Sequence, residues 1–266
     1  MAKLFCKLTS LLQKFSRTDY TWPAEDITLG HRQLHMVGSI HMGTPDMAPL
    51  PVQLLAKLEC ADALIVEADI TSGASPFSQS EQCNPLAERL SGLQLHDLYR
   101  RCDEMEIGHE GIDSLPGWQI ALMLQAQQAQ RLGLHTHCGI DFQLLEAAHV
   151  QQKKVIELEG PETQLALLNG LPNNGLSLLE DTLTHWHTNA RLLQTMISWW
   201  LESPPTTSHS NMPNTFNEAL NDVLMLQRNQ RWCQTLRNLP AGRYVVAVGA
   251  LHLYGEGNLL TMLEKS

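Results

Sequence analysis

Apolar residues recur along this chain with two different periods, and the switches between them mark its elements. Ile27-Thr28-Leu29 and Gln33-Leu34-His35-Met36-Val37 alternate about the turn residues Gly30 and His31, which predicts a hairpin over 26–37. After Pro51, helical spacing of Val52, Leu54, Leu55 and Leu58 leads into the apolar run Ala63-Leu64-Ile65-Val66, giving strand, helix, strand. The stretch 71–85, rich in Ser, Gly and Pro, reads as a surface loop. Helical periodicity returns over 93–105 and 118–132, with Gly133 closing the second helix. A strand over 135–140, a helix over 142–150 and a β-rich run at Val155-Ile156-Glu157-Leu158 follow. Apolar positions then keep helical spacing over 176–201, until Pro204 and Pro205 end the helix and 206–213 forms a loop. Asn214 is placed to cap a helix carrying Phe216, Leu220, Val223, Leu224 and Leu226 towards Leu236. Tyr244-Val245-Val246-Ala247-Val248 is strongly β-prone, and a short helix starts at Asn258. Strands alternate with helices at both ends around a helical middle. The predicted fold class is therefore α/β, a buried central β-sheet flanked by helices, with a helical insertion in the middle of the chain.

The first residues form a separate pattern. Leu4, Phe5, Leu8, Leu11, Leu12 and Phe15 fall at helical spacing, with Lys3, Lys7, Lys14 and Arg17 mostly off that stripe. We expect an amphipathic helix over 1–19, docked on a single domain over 20–266, with peripheral membrane contact as the alternative. Lys7 interrupts the apolar segment of a would-be signal peptide, and no apolar run approaches the roughly 20 residues of a spanning helix. The 28 Asp and Glu outnumber 18 Lys and Arg, so a net charge of −10 leaves no basic footprint for nucleic acid. Six cysteines lack any C-x-x-C pairing and read as free thiols, which with the missing signal segment points to a soluble, cytoplasmic protein.

The chemistry is carried by an internal echo. Val37-Gly38-Ser39-Ile40-His41 recurs as Val248-Gly249-Ala250-Leu251-His252, each copy following β-prone residues. Ligand sites in open α/β sheets lie beyond the carboxyl ends of the strands, so two strands leaving through the same Gly turn would bring both imidazoles to one crevice. Glu67 ends a third apolar strand, where a carboxylate is costly unless paired, hydrated or bound to a metal. Two His and a carboxylate form a common ligand set for a catalytic divalent ion. Glu157 and Glu159 alternate through the next strand and are read as sharing a face. His135 and His137, with Cys138 beside them, lack the further ligands of a structural zinc site, and His185 and His187 stand too close in sequence to chelate from one helix. No G-x-S-x-G, G-x-x-x-x-G-K or H-E-x-x-H motif is present, which argues against a serine α/β-hydrolase, a P-loop NTPase and a zincin.

These motifs, with Tyr20-Thr21-Trp22-Pro23, Ile65-Val66-Glu67-Ala68-Asp69, Gly139-Ile140-Asp141, Leu158-Glu159, Gln227-Arg228-Asn229 and Leu253-Tyr254-Gly255, resemble those of the TraB/GumN family in its YbaP-like branch, related to Tiki metalloproteases and more distantly to erythromycin esterases and ChaN-like haem-binding proteins. The resemblance implies a metal-dependent, peptidase-like hydrolase centred on His41, Glu67 and His252, with manganese, cobalt or zinc as candidate ions and a peptide or small molecule as substrate. Arg228, Asn229 and Glu159 occupy further family positions and are expected to bind substrate. Two alternatives use the same crevice: a non-enzymatic protein binding a peptide or haem, and a metal-free esterase-like hydrolase with a His base.

Overall fold

Alternation decides which way each strand faces, and three neighbouring strands agree. Leu34 and Met36, Ala63 and Ile65, and Tyr244, Val246 and Val248 point into one apolar layer. Val37, Leu64, Val66, Val245 and Ala247 point into the other. The strands are β1 (Ala24–Leu29), β2 (Arg32–Ser39), β3 (Ala63–Val66), β4 (Lys154–Glu157) and β5 (Gly242–Gly249), in the sheet order β1-β2-β5-β3-β4. The computed structural model describes residues 20–71, 82–205, 213, 215–255 and 257–265. The expected α/β class holds. β1 pairs antiparallel with β2 through a turn at Gly30, where φ of +59° suits glycine, while β2, β5, β3 and β4 are mutually parallel. Four carboxyl ends therefore lie along one edge.

Helices cover both faces. In chain order they include α1 (Val52–Cys60), α2 (Gly92–Met105), α3 (Gly117–Arg131), α4 (Ile140–Val150), α5 (Pro161–Asn169), α6 (Leu176–Thr184), α7 (Trp186–Leu201), α8 (Gln227–Arg237), α9 (Ala250–Leu253) and α10 (Leu259–Glu264). One face packs on Trp232, Cys233 and Leu236 of α8 and on Leu259, Leu260 and Leu263 of α10. The other packs on Leu54 and Leu58 of α1 and Leu144, Leu145 and Ala148 of α4. α2, α3 and α6, with the start of α7, bury Leu98, Cys102, Trp118, Leu124, Leu178 and Trp186 in a third cluster, which is the expected helical insertion. Among the described residues no helix is long and apolar enough to cross a membrane.

Several expectations are corrected. The strand expected over 135–140 is a 3-10 turn, Thr136–Cys138, running into α4. Here backbone approach wins over β-propensity: the Ile140 N–H donates to the Ile40 carbonyl at 2.9 Å, Gly43 bridges His135, and a Cβ on Gly139 would stand 2.3 Å from the His41 oxygen. The long helix over 176–201 is two helices, because His185 leaves helical geometry at φ −99°, ψ 19°. Asn217 caps the helix Glu218–Asn221 by accepting from the Leu220 N–H at 3.0 Å; Asn214 and the helix expected over 1–19 lie outside the described residues. Cys102, Cys138 and Cys233 are free thiols as expected, whereas Cys60, at the end of α1, is disulfide-bonded.

Candidate functional site

Parallel pairing places the predicted residues along one sheet edge. β2 ends at Ser39, two residues before His41, and its neighbour β5 ends at Gly249, three before His252. The two copies of the echo are offset, since Gly38 pairs with Val248 and Ser39 with Gly249. They also leave the sheet differently. After β5 the chain coils at once into α9, against which Gly38 packs so closely that a Cβ there would meet Ala250 at 3.3 Å, and His252 is carried inwards. After β2 the chain bends at His41 and Met42, and the His41 side chain is 66% exposed.

Glu67 follows β3. Ladder-like bonds continue past β4, with the Glu159 and Gly160 N–H groups both donating to the Glu67 carbonyl at 3.0 Å, and this sets Glu159 beside Glu67. The two glutamates expected to share a face have separate surroundings: Glu157 Oε1 accepts from the Asp69 N–H at 2.6 Å, while Glu159 faces Arg228. Arg228 stands on the first turn of α8, directly after a π-helical turn, Asp222–Leu226, a distortion that recurs at functional sites.

Arg228 organises the cluster. Its guanidinium has five N–H groups and all five find protein acceptors. Nε donates to Glu159 at 3.0 Å, Nη2 to Glu67 Oε2 at 2.6 Å and Glu159 Oε2 at 3.0 Å, and Nη1 to the Leu224 carbonyl and His252 Nε2, both at 3.2 Å. Trp232 lies beneath it, with the ring centroid 4.6 Å from the guanidinium. Side-chain exposures of 13%, 9% and 4% for Arg228, Glu67 and Glu159 make this a buried network. Arg228 and Glu159 therefore satisfy each other, with every Arg228 donor engaged by the protein.

The same bonds fix the state of His252. The Asn229 Nδ2 donates to the Gly257 carbonyl at 3.0 Å, so its Oδ1 faces His252 Nδ1 at 2.7 Å. Nδ1 then carries the proton and Nε2 accepts from Arg228, which can only donate. Burial drives the His252 pKa down, Arg228 and His41 push the same way against Glu67, and it falls to about 4. Asn229 thus orients His252 from the far side of the ring. For Glu67, burial acts to raise the pKa, but His252 when protonated, Arg228, His41 and the Gly249 N–H donated to Oε1 at 2.7 Å outweigh it and hold it at about 2.

His41 differs. Its Nδ1 is hydrogen-bonded to Asp141 Oδ2 on the first turn of α4, leaving the other ring edge exposed. The Asp141 carboxylate raises the His41 pKa to about 9, against desolvation of the ring's inner edge, with Glu67 adding and Arg228 opposing. His41, Glu67, Asp141, Ser39 and Gln164 line a cavity of about 20 Å³, which suits one water and does not accommodate a haem. Asp141 Oδ1 is buried without a protein partner, and Gln164 Nε2, on α5, reaches Glu67 Oε2 at 3.4 Å.

The expected trio thus occupies one site without forming a metal centre. Lone pairs of Glu67 and His252 face the Arg228 guanidinium, and among the described residues no group of three or more His, Cys, Asp or Glu is placed to hold a metal ion. The donor set does not fit a three-ligand ion. Outside the site, His135 and His137 are exposed with their rings stacked at 5.4 Å, and His185 forms the joint between α6 and α7.

Comparison with known proteins agrees with the motifs that build this edge. The model of the TraB/PrgY/gumN family matches residues 22–266. The chain belongs to the TraB/PrgY/gumN family. Two relatives, each called "Uncharacterized protein YbaP", from Escherichia coli (strain K12) and Shigella flexneri, are each 57% identical over 262 residues, covering 98% of this chain and 99% of the relative. No solved structure matches. In this TraB/PrgY/gumN chain the sequence reading missed Asp141 and Gln164 as site residues. Asp141 lies 100 residues from His41, beyond any local periodicity; the available signal was the Gly139-Ile140-Asp141 motif just before the helix predicted over 142–150.

Proposed function

We propose that this protein is a hydrolase that activates one water between Glu67 and His41 and attacks an ester or amide carbonyl, with no metal in the step. The observation that carries the reading is the water-sized cavity shared by a buried carboxylate and an Asp-oriented imidazole at the carboxyl ends of parallel strands. At neutral pH the ground state is Glu67 ionised and His41 protonated, a proton acceptor and a proton donor on one water. As water attacks, its proton passes to Glu67 and a carbon–oxygen bond forms. The bond to the leaving group then breaks as His41 donates its proton, and the proton on Glu67 returns to His41 to restore the pair. Arg228, Gly249 and Gln164 hold the Glu67 carboxylate in place. Asp141 keeps the His41 proton donor turned outwards.

A short panel of 4-nitrophenyl esters and peptide amides, assayed after exhaustive chelation, tests the reading. We expect turnover that survives chelation, a loss of 100-fold or more in His41→Asn on the scale of general acid–base catalysis, and little change in that variant's thermal midpoint because the side chain is exposed. Turnover abolished by chelation and restored by manganese, cobalt or zinc would return the site to a metal-dependent mechanism. Stoichiometric peptide binding without turnover would favour a binding protein.

A further inference from the structure

Because Arg228 gives all its donors to the protein, a substrate anion must be met by another residue. Arg231 stands one turn further along α8 with a side chain 54% exposed. Among the described residues its one ion pair is a long one, Nη2 to Glu159 Oε1 at 3.7 Å, and the Glu159 oxygens are already held by Arg228 at 3.0–3.1 Å. Arg231 is thus a charge tethered at the edge of the site with donors to spare. From it an open concavity of about 590 Å³ runs along α8, lined by Arg231, Gln234, Thr235, Asn238, Leu239 and Pro240. Positions 231, 234, 235 and 238 fall on one helix face. Gln234, Thr235 and Asn238 are exposed and offer both donors and acceptors at a spacing that follows an extended chain.

We propose that this groove takes the carboxylate-bearing end of an extended peptide substrate, with the carboxylate on Arg231 and backbone amides against Gln234, Thr235 and Asn238. The proposal rests on the hydrolase reading only in joining the groove to the site through Glu159. No aromatic side chain lines the groove to stack on a nucleobase or sugar ring, and the net charge of −10 opposes polyanions while leaving one fork-shaped contact for a single carboxylate.

The test uses the full chain and two probes, N-acetyl-trialanine with a free carboxylate and its C-terminal amide, titrated by NMR. The free acid is expected to bind about tenfold or more tightly than the amide, with shifts at Gln234, Thr235 and Asn238, as a charge-assisted contact requires. Arg231→Gln should erase that preference and Arg231→Lys should restore part of it. Equal binding of acid and amide, no binding of the acid at millimolar concentrations, or a preference that survives Arg231→Gln overturns the proposal. Stronger binding of inorganic phosphate at the same resonances overturns the carboxylate assignment. Absence of 4-nitrophenyl ester turnover in the unmodified protein would count against the hydrolase reading and leave the binding result to decide this one.

Discussion

Arg228 and Glu67, 161 residues apart in sequence, meet through an Nη2–Oε2 bond of 2.6 Å at the point where a catalytic metal was expected. The site's central cation is a side chain, and two of the three groups expected to bind a metal, Glu67 and His252, are bonded to it. This relationship separates residues that build the site from those that face outwards. Glu159, Asn229 and His252 hold Arg228 or one another, while His41 and Arg231 present their polar atoms to solvent.

Removing the central cation takes the shared close counter-charge from two buried carboxylates and leaves Glu159 the longer contact to Arg231 at 3.7 Å. Arg228→Met should destabilise the fold by about 3–5 kcal/mol, the range for breaking a buried ion pair. Adding Glu159→Gln to Arg228→Met should recover part of the loss. Urea unfolding of the single and double variants measures both, and additive effects of the two changes would contradict the network.

Asn229 sets the tautomer of its neighbour. Asn229→Ala should leave the His252 Nδ1–H unsatisfied, at a cost of about 1–3 kcal/mol by chemical denaturation. In the unaltered protein at pH 7, imidazole nitrogen shifts should report a neutral His252 protonated on Nδ1. Protonation on Nε2 would contradict the assignment.

Stability should fall on the acid side in two overlapping steps. His252 is depressed from 6.5 to about 4, so the unfolded chain takes up that proton first and stability declines as pH drops through this window. Glu67 is depressed from 4.5 to about 2 and adds a second decline below pH 4.5. His41 has the opposite sign, raised from 6.5 to about 9, and its contribution is present below 6.5 and lost as pH climbs through 9. Its exposure keeps that last effect small. Unfolding free energies from pH 2 to 10 check all three, and His252→Asn should reduce the decline below 6.5 while the share of His35, likewise lowered by burial, remains.

Much of the architecture was legible because strand periodicity and strand adjacency are both written locally. The β-prone runs ending in Gly38 and Gly249 do form neighbouring parallel strands, and Glu67 does end the next one. What the matched motif did not carry was the path after each glycine: α9 turns His252 inwards, while the bend after β2 leaves His41 outside. Nor could helical spacing show that α8 aims Arg228 at two glutamates 69 and 161 residues away, because such pairing depends on how α8 packs on the sheet. The strand expected over 135–140 failed for a related reason, the tight approach of Gly139 to the His41 backbone, which also brings Asp141 to His41.

The pH dependence of kcat/KM for ester hydrolysis, in the unmodified protein and in Asp141→Asn, tests the central claim most directly. A bell-shaped profile is expected, with the acid limb set by protonation of Glu67 towards pH 2 and the alkaline limb by deprotonation of His41 near pH 9. Removing the Asp141 charge should move the alkaline limb down towards the ordinary histidine range while the acid limb stays in place. An alkaline limb that does not move in Asp141→Asn would contradict a His41 proton donor poised by Asp141.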